Sequence, residues 1–131
     1  MNGNSEAWII NHNSSYGSLA EFTQLETEGY VWITIPRNEL LDNLAKIEQL
    51  TATKINEQHI KDALNNEHPS FFDSTDKYEM VIFRGIAASQ FDMEIPSVSL
   101  TPESIACFTF EKALLTVYDM QDPIVNKVKE Y

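Results

Sequence analysis

The stretch YVWITIPRNELLDNLAKIEQL, residues 30–50, changes its hydrophobic period half-way. Over residues 30–36 β-branched and aromatic side chains follow one another up to Pro36, the composition of a strand. From Asn38 the period lengthens. Leu40, Leu41, Leu44 and Ile47 recur at helical spacing, with Asn38 as N-cap and Glu39 in the first turn, so the sequence predicts a helix to about Leu50. A strand that runs straight into an amphipathic helix needs a sheet for that helix to lie on.

The flanking segments extend this pattern. Asn56 can cap a second helix, Glu57 suits its first turn, and Ile55 and Ile60 have the spacing of a hydrophobic staple. That helix should stop near Asn65 or Asn66, because His68 precedes Pro69 and is pushed out of helical geometry. YEMVIFRGI (78–86) is almost unbroken in its apolar character, which predicts a central strand covered on both faces. SIACFTFEKALLTVYD (104–119) predicts two strands joined by a tight turn around Glu111 and Lys112, and Asp122 with Pro123 opens a last helix still running at Tyr131. AWIINHN (7–13) adds an early strand, and QFDMEIPSVSL (90–100) an edge strand. The expected fold class is α+β, a mixed β-sheet with helices packed on its faces in α/β/α layers, as one domain over residues 1–131.

Composition narrows the function. The 131 residues, 43% of them hydrophobic, are enough for one core that buries roughly two-thirds of the unfolded chain's surface. Twenty acidic residues against nine basic ones give a net charge of -11, which excludes a nucleic-acid partner and favours cations. The single cysteine, Cys107, fits a reducing compartment. The start lacks the pattern of a signal peptide, and no apolar run approaches the roughly 20 residues that span a bilayer. A cytoplasmic setting is expected.

The usual catalytic signatures are missing: there is no H-E-x-x-H, paired C-x-x-C, G-x-S-x-G or glycine-rich phosphate loop. Cys107, Trp8 and Trp32 lie in β-type runs and are expected in the core. The second helix carries the remaining candidates. Its apolar face is Ile60, Ala63 and Leu64, and at 100° per residue Asp62 points nearly opposite, so Asp62 is expected to be exposed. His59, three residues earlier, should lie on the adjoining polar surface within reach of Asp62. One His and one carboxylate make a weak metal signal, because a closed transition-metal site needs three or four protein ligands. His68 is expected in the helix stop, and His12 in a polar loop.

The order of these motifs resembles a known family. WITI, then IKDALN, a proline shortly after, DKYEMVIFRGI, and SIACFTFEKALLTVYD are similar to the N-terminal cytoplasmic domain of the CorA-like divalent metal ion transporters, over roughly residues 30–131. In that family the second helix ends in a motif like L-x-D-x-L-N and is followed by R-P. Here His68 replaces that arginine, and the transmembrane helices and G-M-N signature are absent from the sequence.

The resemblance implies a pentameric magnesium channel whose cytoplasmic domains sense the ion. Its regulatory aspartate matches Asp62, while Lys61 stands where relatives often have a second acidic residue. The long pore-lining helix, which carries the aspartate's counterpart in a neighbouring subunit, would begin beyond Tyr131. Two carboxylates brought to about 5 Å across an interface repel by around 3 kcal/mol at an effective dielectric near 20. Mg²⁺ would cancel that repulsion with few protein ligands and retained waters. The expectation is a cytoplasmic regulatory domain of a divalent-cation transporter, not an enzyme. Its metal site would be Asp62, with Mg²⁺ bound weakly in the isolated domain, a homopentamer in the full-length protein, and membrane contact only through the part beyond Tyr131. The alternatives are a zinc-transporting relative, favoured by His59 beside Asp62, a soluble metal-dependent hydrolase with His59, Asp62 and His68 as ligands, and an acidic interaction module.

Overall fold

The computed structural model describes residues 6–10, 15–19, 30–90 and 99–119, with side-chain surroundings at 19, 30–85 and 104–119. The strands are β1 (Glu6–Ile10), β2 (Ser15–Ser18), β3 (Tyr30–Pro36), β4 (Phe71–Ser74), β5 (Glu79–Gln90), β6 (Ser99–Thr109) and β7 (Ala113–Tyr118). Helices α1 (Leu40–Thr51) and α2 (Glu57–Leu64) lie between β3 and β4 in the chain. All seven strands join one mixed sheet in the order β2-β1-β3-β7-β6-β5-β4. Neighbours pair antiparallel except at β3 and β7, which run parallel.

Side-chain alternation explains which face is covered. Val31, Ile33 and Ile35 on β3 stand beside Ala113, Leu115 and Val117 on β7. Ala106 and Phe108 on β6 continue the row to Ile82 and Met80 on β5. All are buried, in one cluster with Leu40, Ile47 and Leu50 of α1 and Ile60 and Ala63 of α2. Both helices therefore pack on this face, and the α+β class with a mixed sheet is the observed one. The expected helix from Asp122, the candidate for the opposite face, lies outside the described residues.

Several expectations change. Asn38 does not cap α1: residues Arg37–Glu39 form a 3-10 turn, and Glu39 holds the N-cap position without a side-chain hydrogen bond. β5 is not central. It lies one strand in from the edge strand β4, and Phe83 on its second face is 59% exposed. An apolar run shows that two faces are apolar, but not that both are covered; the parallel β3–β7 pair takes the centre instead. Of the edge strand expected over residues 90–100, Gln90 ends β5 and Ser99 and Leu100 begin β6, which pairs with β5, while residues 91–98 lie outside the described residues. β2 and β4 are strands that the sequence did not announce.

Candidate metal site around Asp62

Helix α2 begins as its sequence predicts, with the Asn56 side chain accepting from Gln58 N at 2.8 Å, and Ile55 and Ile60 both buried. After Leu64 the chain turns back, and His68 N donates to the Asn65 carbonyl at 3.1 Å. This return carries the His68 ring over the side of the helix that holds Asp62. His68 Nε2 lies 3.5 Å from Asp62 Oδ1. Gln58 Nε2 donates to the same Oδ1 at 3.0 Å, one helical turn before.

Asp62 is therefore not the freely projecting carboxylate that its helix angle predicts. Its side chain is 15% exposed and that of His68 17%. The cover comes from the turn that follows its own helix, which sets the His68 ring beside Asp62. A premise of the simple interface clamp, an unengaged carboxyl group, is thus corrected. Oδ2 takes no hydrogen bond from the described residues.

His59 also departs from expectation. Instead of sharing the polar surface with Asp62, it is buried, with Nδ1 2.7 Å from the Tyr78 hydroxyl and Nε2 2.7 Å from Asp73 Oδ2. As an i, i+4 neighbour of Ala63 it flanks the apolar face, where the β4–β5 connection covers it. The Tyr78 hydroxyl accepts from Asn56 N at 3.0 Å and donates to His59 Nδ1, which leaves Nε2–H to donate to Asp73. The hydrogen bond from His59, helped by Ser74 N–H, holds the Asp73 carboxyl below the usual range, whereas burial pushes the Tyr78 hydroxyl up. Both ring nitrogens of His59 are used. His59, Asp62 and His68 do not converge, and no group of three or more potential ligands able to hold a metal occurs among the described residues.

The other candidates have simpler surroundings. Trp32 is half-buried and donates Nε1–H to Thr116 Oγ1 at 2.9 Å, and Trp8 stands opposite it in the register of β1 and β3. Cys107 is half-buried, and desolvation pushes its thiol up, away from the reactive thiolate. Lys61 is exposed and lines a cleft with Lys54, Lys77, Glu57 and Asp76. His12 lies outside the described residues.

Arg37 is a structural residue that the sequence reading missed. It is buried, and its guanidinium donates to the carbonyls of Ala63 and Ser104 and to Asp119 Oδ1. It thereby joins the end of α2, strand β6 and the residue after β7. No helix among the described residues is long and apolar enough to cross a membrane.

The chain matches no protein-family model and no curated protein sequence. Among solved structures, the CorA magnesium transporter from Methanocaldococcus jannaschii superposes on 96% of the chain with a TM-score of 0.65 at 15% identity. The full-length CmaX protein superposes on 95% with a TM-score of 0.64 at 12% identity. The ZntB cytoplasmic domain from Vibrio parahaemolyticus RIMD 2210633 superposes on 95% with a TM-score of 0.63 at 14% identity. The chain spans 35% of the CorA structure, 37% of CmaX and 47% of the ZntB domain. What these likenesses establish is the fold, and the fold is that of the CorA soluble domain.

Proposed function

We propose that this chain is a soluble regulatory domain of a divalent-cation transporter, on the cytoplasmic side of the membrane, in which ion occupancy at Asp62 biases how subunits pack. The observation that supports it most is the superposition of nearly the whole chain on a magnesium transporter. Mg²⁺ is accordingly the first ion to consider. The acidic balance of the chain fits a cation-responsive surface, since an ion between like charges removes a repulsion that otherwise separates them. The domain performs no chemistry in this reading; it couples binding to assembly, as a homopentamer in the full-length protein.

Asp62 enters this reading as a carboxylate already oriented by Gln58, with His68 beside it. Mg²⁺ binding in the isolated chain is weak, because the neighbouring subunit's ligand is missing there. The full-length protein tests the reading when reconstituted in liposomes. Divalent-cation flux should occur and should fall as the cation rises on the side of this domain, and Asp62→Ala should abolish that fall. Absence of flux, or an unchanged response in the variant, counts against it.

A further inference from the structure

An apolar groove and a basic cleft adjoin at the loop between α1 and α2 and share a wall. The groove, of about 400 Å³, lies between the two helices over Leu41, Leu44, Ile60 and Leu64. Leu41 is 62% exposed, so this aliphatic surface is open to solvent. The cleft, of about 740 Å³, lies between the start of α2 and the β4–β5 connection, which adds Lys77 to its wall. Lys54, Ile55, Glu57 and Lys61 line both.

Three of the nine basic residues in the chain thus stand around one cleft. They come from the α1–α2 loop, from α2 and from the β4–β5 connection, and no hydrogen bond or ion pair to a described residue engages any of their ammonium groups. Glu48, on the groove side, is already occupied, since its Oε2 accepts from Ile55 N at 2.7 Å. Glu57 and Asp76 lower the formal charge of the cleft to +1, three ammonium groups against two carboxylates. On a chain of net charge -11, which repels anions at long range, such a cleft is where an anion meets attraction.

We propose that this surface binds a single-chain alkyl or acyl phosphate, with the phosphate between Lys54, Lys61 and Lys77 and the hydrocarbon along Leu41, Leu44, Ile60 and Leu64. A lysine ammonium is a compact charge on a flexible stem and binds phosphate as a point charge. Lys54 and Lys61 stand where the two cavities meet, so their stems can lie on the apolar wall while the ammonium groups serve the head. The walls of the groove are aliphatic, without an aromatic side chain to stack on a flat base, which favours a hydrocarbon chain over a nucleotide. Asp62 lines neither cavity, so the proposal stands apart from the ion reading above.

Dodecyl phosphate below its micelle concentration is the probe for the 131-residue chain. One molecule per chain should bind at low salt, bind more weakly as salt rises, and shift the resonances of Leu41, Leu44, Lys54 and Lys61. Replacing both Lys54→Gln and Lys61→Gln should weaken binding about tenfold, the loss of two exposed charge contacts. Leu41→Ser should also weaken it, Glu57→Gln should tighten it, and Lys46→Gln, outside both walls, should leave it unchanged. If the double variant misfolds, the unaltered chain still decides, because uncharged dodecyl maltoside and inorganic phosphate each supply half of the ligand and should both bind more weakly than dodecyl phosphate. Equal binding of dodecyl maltoside, undiminished binding in the folded double variant, or tighter binding of ADP would overturn the proposal. So would self-association that shifts the same resonances without ligand, which would make the groove an interface between copies.

Discussion

Asp73 shows how one buried partner changes the behaviour of an exposed carboxylate. His59 Nε2–H donates to it at 2.7 Å and favours its charged form, so its pKa in the folded chain lies below the unfolded value of about 3.9. A depressed folded pKa contributes stability that is fully present above the unfolded value and is lost as pH falls through the folded one. Asp73→Asn removes that charge-dependent part. Urea midpoints of the two proteins should therefore differ most at pH 6, and the difference should narrow as pH falls below about 4. A constant difference would mean that the carboxylate charge plays no part. Little of this was legible, because Asp73 and Tyr78 are fourteen and nineteen residues beyond His59. Helical spacing shows only which neighbours share a face. Asp62 was legible as lying away from the apolar face, but its pairing with His68 depends on the turn after α2, which the proline announces without giving its direction.

The two helices differ in how clearly their ends are written. Asn56, Ile55 and Ile60 marked the start of α2, and the structure agrees. The end of α1 carries no glycine, so only the fading periodicity suggested where it stops. Ala52 has φ 52°, with its own N–H bonded to the Gln49 carbonyl and Thr53 N–H to that of Glu48, the paired bonds of a Schellman motif. A left-handed conformation costs a non-glycine residue roughly 1–2 kcal/mol. Ala52→Gly should therefore raise unfolding stability by about 1 kcal/mol, part of the relief being offset by the greater freedom of glycine in the unfolded chain. Chemical denaturation measures it; a loss of stability would contradict the assigned cap. The short strands β2 and β4, SYGS and FFDS, contain too few alternations for a period to emerge. They are strands because neighbours offer them an edge, which is information from elsewhere in the chain.

At the scale of the molecule, the sheet has its parallel pair at the centre and its helices bound to one face by packing and by Arg37. The hydrophobic periods of β3, α1, α2 and the β6–β7 hairpin were enough to indicate the α+β class, but strand order was not, because apolar runs do not say which strand covers which. Arg37→Met should cost about 3 kcal/mol, the lower end for breaking a buried charge pair, since Asp119 is 31% exposed and keeps access to water. Thermal or urea unfolding of the chain checks this, and a loss below about 1 kcal/mol would show that the carbonyls of Ala63 and Ser104 find other donors. The functional reading also belongs to this scale, because it places an ion where one subunit would meet another. Its most direct measurement is protease protection of the full-length protein with and without divalent cation, in the parent and in Asp62→Ala. The account predicts protection by the cation in the parent and none in the variant; undiminished protection in Asp62→Ala would contradict it.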